Sequence, residues 1–137
     1  MKRFFAFFLS LALVSTLFLT SCSASPTTGV SGNYRQDTLA MIDSLRTAIE
    51  LPEGTAEKSA AQSEARAKIN NFISQYRRSS KVSGLSSFMT MTTALNGIAG
   101  HYASYPNRPI PEKLKKRLDQ EFKMVEGALD RESTRAS

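Results

Sequence analysis

The chain has 137 residues, with 18 Lys and Arg against 12 Asp and Glu and a formal net charge of +6. One cysteine excludes an intrachain disulfide. One histidine, with no cluster of Cys or carboxylates at ligand spacing, leaves no zinc or haem site, and neither a Gly-rich phosphate loop nor a Gly-x-Ser-x-Gly turn occurs.

Residues 1–21 read as an export signal. Lys2 and Arg3 precede an apolar run broken only by Ser10, Ser15 and Thr16. Residues 4–19 make about 24 Å of helix, short of the roughly 30 Å hydrocarbon core, which favours a cleaved signal over a permanent anchor. The run ends in Leu19, Thr20, Ser21 and Cys22, the apolar-small-small-Cys pattern of a lipoprotein processing box. Small side chains admit an extended backbone to a peptidase cleft, and the Cys22 sulfur carries the lipid. An ordinary signal cleaved after Ala24 is the alternative; the position of the sole cysteine favours lipidation. The mature chain, residues 22–137, then has 116 residues and a formal charge of +4. That is one domain with one core. Export separates this basic chain from nucleic acid, so anionic lipid or an acidic protein surface is the reachable partner. The free protein is expected to be a monomer.

Residues 22–32 read as a flexible tether, rich in Ser, Thr and Gly with Val30 the only large side chain. Residues 33–132 read as a four-helix bundle and 133–137 as a frayed tail. Asn33 is a candidate cap for the first helix, with Gln36 three residues on, and Leu39, Ile42, Leu45 and Ile49 form its apolar stripe. Leu51 and Pro52 end it, and Glu53 and Gly54 turn the chain. Thr55 caps a second helix whose stripe is Ala65, Ile69, Phe72 and Tyr76, with Arg77, Arg78 and Lys81 at its C-terminal end.

Residues 82–107 carry no charged side chain. Phe88, Met91, Leu95, Ile98, Tyr102 and Tyr105 recur at steps of three and four, one stripe of a helix. Thr90, Ala94, Gly97 and His101 form a second, small-residue row that admits a close neighbour. A membrane span is the alternative, but the Ser, Thr and Asn groups spread through the segment favour a central helix of a water-soluble bundle. Pro106, Pro109 and Pro111 then forbid helix, and Pro111 suits the start of a fourth. Its stripe is Leu114, Leu118, Phe122, Val125 and Leu129. The expected fold is an all-α, up-down-up-down four-helix bundle.

Chemistry is scarce. His101 reads as a packing residue rather than a ligand or base. Glu126 and Asp130 at i, i+4, with Glu132 nearby, read as a solvated face before a weak site for a hard cation. No catalytic residue and no cofactor are expected. Lys113, Lys115, Lys116 and Arg117 oppose the dipole at the start of the fourth helix; a solvated face is the plain reading and a docking patch the functional one. Asp119 and Glu121, four residues beyond Lys115 and Arg117, soften the charge. Arg108 shares that end with Glu50, Glu53 and Glu57. Arg35, Arg77, Arg78 and Lys81 gather at the opposite end, less compensated, as a second candidate.

Several stretches carry a resemblance: Asp37-Thr38-Leu39-Ala40, Ile73-Ser74-Gln75-Tyr76-Arg77-Arg78, Lys81-Val82-Ser83-Gly84-Leu85, Ala94-Leu95-Asn96 through Gly100-His101-Tyr102, and Asn107-Arg108-Pro109-Ile110-Pro111-Glu112-Lys113-Leu114. In order and spacing they resemble the cyanobacterial photosystem II assembly lipoproteins, small four-helix lumenal factors, over residues 34–129. The resemblance implies a non-catalytic, lipid-anchored factor on the lumenal side of the thylakoid membrane. It also implies transient association with photosystem II assembly intermediates, chiefly through the lumenal loop of a chlorophyll-binding inner antenna subunit. Such factors support biogenesis and repair of the manganese–calcium cluster and keep extrinsic subunits off until it is ready. The competing reading is a lipid-anchored carrier of a small ligand or metal around His101 and the acidic last helix.

Overall fold

Asn33 opens the first helix: its side-chain oxygen accepts from the Gln36 backbone N–H at 3.1 Å, so one orphan donor is satisfied locally. The structure, a computed structural model, describes residues 29–106 and 108–136. Four helices follow in order: α1 Tyr34–Glu50, α2 Ala56–Tyr76, α3 Ser86–Ser104 and α4 Glu112–Ala136. The signal, Cys22 and residues 22–28 of the tether lie outside the described residues.

Each helix packs on two neighbours in the order α1, α2, α3, α4 and back to α1, with none of the diagonal pairs in contact. Every seam runs antiparallel. Between α1 and α4, Arg35 meets Asp130 at 2.6 Å and Arg46 meets Glu126 at 2.7 Å. Between α1 and α2, Asp37 meets Tyr76, and Lys68 reaches Ser44 at 2.9 Å. Between α2 and α3, Phe72 lies against Phe88 and Arg66 donates to the Tyr102 carbonyl. Between α3 and α4, Ser87 meets Glu132 and Gly97 lies under Arg117. This is the up-down-up-down bundle that the periodicities predict, and no described helix is long and apolar enough to cross a membrane.

The core is assembled from those stripes. Ile42, Leu45, Ile69, Phe72, Met91, Leu95, Ile98, Leu118, Phe122 and Val125 are at most 1% exposed. The small-residue row has the expected consequence: α3 and α4 form the most extensive seam, and the Arg117 guanidinium comes to 3.0 Å from where a Gly97 Cβ would stand.

Four expectations need correction. Tyr105 does not join the stripe, because α3 ends at Ser104 and the backbone turns away at φ −137°, leaving Tyr105 49% exposed. On α1 the buried face is rotated: Thr38, Met41 and Ala48 are buried and Leu39 only partly so. Residues 133–136 are helical rather than frayed, since the last turns of α4 are tied down by Arg35 to Asp130 and by Glu132 to Ser86 and Ser87. The described end of the tether is ordered too. Val30 packs on the core, and the Asp37 carboxylate gathers the Ser31 N–H at 2.9 Å, the Ser31 hydroxyl at 2.7 Å and the Gly32 N–H at 3.1 Å. Gly32 turns this corner at φ +90°, where a side chain is strained.

Lys58 was not singled out by any sequence signal, yet it is only 3% exposed. Its ammonium donates to the carbonyls of Ile49 at 3.0 Å and Leu51 at 3.2 Å and pairs with Glu53 at 3.0 Å. The first helix has no basic residue of its own in its last turn. A cation from α2 therefore satisfies the carbonyls at its C-terminus, where the helix dipole favours positive charge.

Candidate docking surfaces

The antiparallel packing creates two ends. At one, called the far end, lie the 51–55 turn, the C-terminus of α3 and the start of α4. At the other, the tether end, lie residues 29–33, the 77–85 connection and the C-terminus of α4.

At the far end the basic run is partly spent inside the molecule. Lys115 pairs with Glu112 at 3.3 Å, and Arg117 with Glu121 at 3.0 Å. The expected partner of Lys115, Asp119, instead holds Lys123 at 2.7 Å and Arg46 at 3.9 Å; the Lys123 hydrogen bond, then the cations around it, keep the Asp119 carboxyl below its ordinary value. Glu53 is taken by Lys58, so it does not screen Arg108 as the topology suggested. Arg108 covers the Tyr105 ring at 5.4 Å, a cation–π contact, and its carbonyl oxygen lies 3.2 Å from Nε2 of half-buried His101. Lys113 and Lys116 are exposed and make no ion pair among the described residues. They flank a groove of about 490 Å³ lined also by Pro111, Leu114, Arg117 and Gln120. An apolar floor with two unspent cations on its rim is the anatomy of a modest protein-docking site.

At the tether end Arg77, Arg78 and Lys81 are exposed and make no ion pair among the described residues. Arg35, expected to join them, is spent on Asp130. Arg131 and Arg135, both exposed, add to this end; helical continuity of α4 beyond residue 132 is what brings Arg135 in. The carboxylates here are all hydrogen-bonded among the described residues. Glu132 accepts from the Ser87 N–H at 3.1 Å and its hydroxyl at 2.6 Å, doing from α4 what the side chain of Leu85, the N-cap of α3, cannot do. Ser87 also shares a 2.8 Å hydrogen bond with the Tyr34 hydroxyl, whose acidity is suppressed first by burial and further by the Glu132 charge.

Asp37 receives the Tyr76 hydroxyl besides the three tether donors. Burial pushes its carboxyl up, but these hydrogen bonds outweigh burial and hold it below its ordinary 3.8. Tyr76 is pushed the other way, by burial and by the carboxylate it serves. Because the folded value of Asp37 lies below the unfolded one, the clamp is fully present above about pH 4 and is lost as pH falls through the folded value. Protection of the Ser31 and Gly32 amides relative to their intrinsic exchange rates is expected to be lost in that acid window and, in Asp37→Asn, to be low at neutral pH as well.

The acidic residues of α4 do not converge. Glu126 serves Arg46, Asp130 serves Arg35 and Glu132 serves Ser86 and Ser87, and no group of three potential metal ligands forms among the described residues.

Comparisons with known proteins agree with one another. The profile of the family described as Photosystem II Pbs27 matches residues 3–129. The chain is 62% identical to the photosystem II assembly factor lipoprotein Psb27 of Thermosynechococcus vestitus, covering 97% of this chain and 98% of the relative. It is 35% identical to the chloroplastic photosystem II repair protein PSB27-H1 of Arabidopsis thaliana, over 90% of this chain and 74% of the relative. Among solved structures, the solution structure of Psb27 from cyanobacterial photosystem II superposes with a TM-score of 0.71 at 52% identity, covering 82% of this chain and 96% of that one. The crystal structure of PSB27 from Arabidopsis thaliana gives 0.68 at 34% identity, covering 72% and 96%. On sequence and on fold together, the chain belongs to the Photosystem II Pbs27 family.

Proposed function

We propose that the chain is a non-catalytic accessory factor that binds photosystem II assembly intermediates on the lumenal side of the thylakoid membrane, held there by lipid on Cys22. Its likeness to a named photosystem II assembly factor across nearly the whole of both chains is the observation that carries this reading. The mechanism is reversible occupation of a surface. A closely packed bundle changes little on binding, and a lipid anchor raises its local concentration near membrane partners. The partner surface is the lumenal loop of a chlorophyll-binding inner antenna subunit, and its occupation keeps extrinsic subunits off until the manganese–calcium cluster is built or repaired.

For docking, the far end offers the better surface, because Lys113 and Lys116 stand unspent beside an apolar groove. Affinity purification of tagged chain is expected to recover immature photosystem II lacking extrinsic subunits; recovery of mature complex alone, or of none, would overturn the reading. Lys113→Glu with Lys116→Glu is expected to cut that recovery about tenfold, equivalent to about 1.4 kcal/mol, mainly through slower association. The same reversal at Arg77 and Arg78 serves as the comparison arm.

A further inference from the structure

We propose that the tether end is a membrane-facing surface which rests on anionic lipid headgroups, so that the basic patch and the lipid anchor together orient the bundle. This rests on the anchor reading of Cys22.

Where the chain enters the bundle is the first argument. Ser31 and Gly32 are fixed to Asp37, which also holds Tyr76, the residue before Arg77. The exit of the tether is therefore beside the 77–85 connection. Seven peptide steps separate Gly29 from Cys22, at most about 25 Å of extended chain. Whatever surface holds Cys22 holds this end of the bundle close to it. The far end lies roughly another 30 Å on, the length of about 20 helical residues.

Charge is the second argument. Arg77, Arg78, Lys81, Arg131 and Arg135 are exposed here without an ion pair among the described residues. Among the described residues the three carboxylates of this end are occupied: Asp37 by Ser31, Gly32 and Tyr76, Asp130 by Arg35, and Glu132 by Ser86 and Ser87. Only Asp130 is cancelled by an ion pair, while Asp37 and Glu132 keep their charges on neutral donors, so among the described residues five cations stand against two carboxylates, and a headgroup layer within a Debye length, about 8–10 Å, would feel the excess. Met89, 61% exposed in the first turn of α3, adds one apolar side chain at the same end. A lipid chain combined with a polybasic patch is the two-signal arrangement that makes membrane attachment stable and oriented.

The test uses the acylated full chain, whose only native cysteine is blocked by its lipid. Exposed Ser80 at the tether end, or exposed Ser104 at the far end, is changed to Cys and labelled with a fluorophore. Vesicles contain a headgroup quencher and either anionic phosphatidylglycerol or zwitterionic phosphatidylcholine alone. On anionic vesicles the Ser80→Cys label is expected to be quenched about fivefold more than the Ser104→Cys label. High salt, zwitterionic vesicles, or Arg77→Glu with Arg78→Glu should cut that difference to the smaller one that the tether alone sets, since each basic residue contributes a few-fold to headgroup association. Equal quenching at both positions, or a difference that ignores lipid charge, overturns the proposal. Mass spectrometry of the same sample reads the anchor separately. Should Cys22 prove unmodified, the anchor reading falls alone, and pelleting of Cys22→Ala chain with the two vesicle types decides the patch: binding that needs anionic lipid and is lost on reversal of Arg77 and Arg78 sustains it, and indifference to lipid charge overturns it.

Discussion

Leu95→Ala is expected to lower the unfolding free energy by about 2–5 kcal/mol. Leu95 is 0% exposed at the middle of α3, the helix whose uncharged sequence is covered by its neighbours on both sides. Truncation removes three carbons' worth of apolar burial and leaves a void that the bundle fills only in part. The upper half of the range applies if the void stays empty, because Met91 and Ile98, one turn either side, are themselves fully buried and have little room to move. For a fold of about 100 residues, each kcal/mol lowers the melting temperature by roughly 4–8 °C. A urea melt reads the effect directly; a loss below about 1 kcal/mol would remove Leu95 from the centre of the core.

Lys58→Glu is expected to cost about 3 kcal/mol, more than most single changes in charge. The new carboxylate would face two carbonyl oxygens, of Ile49 and Leu51, and the like charge of Glu53. Three attractions become three repulsions at the negative end of a helix dipole. Lys58→Met separates the charge from the stem: it keeps the buried aliphatic length but leaves the carbonyls to water, and is expected to cost about 1–2 kcal/mol. Thermal melts of the two variants beside wild type check the order. If Lys58→Glu melts with wild type, the cap is ornamental and the end of α1 is held by Pro52 alone.

The sequence displays the helices well and the ends poorly. Asn33 and Thr55 are legible as caps because capping is a local transaction, settled with a backbone N–H three residues away. The stripes of α2 and α4 are legible for the same reason: period alone selects Phe72, Phe122 and Val125. What depends on contacts remote in sequence is not legible. Glu132 looks like surface charge until α4 lays it against the start of α3, 45 residues away, and Lys58 looks solvated until α1 ends above it. The tail seemed free because nothing nearby holds it; Arg35, 95 residues back, does. The basic candidates behave alike. Periodicity places Lys115 and Arg117 on exposed helix, but only the structure separates them, already partnered, from Lys113 and Lys116, still available.

The reach of Glu132 has a bearing on how the molecule is completed. Synthesis runs from the N-terminus, and here the opening of the third helix waits for a carboxylate 45 residues further along the chain. Until that residue arrives the Ser87 amide has only water, and the seam between the last two helices stays unlatched. The bundle's last latch therefore closes only after the fourth helix has been made.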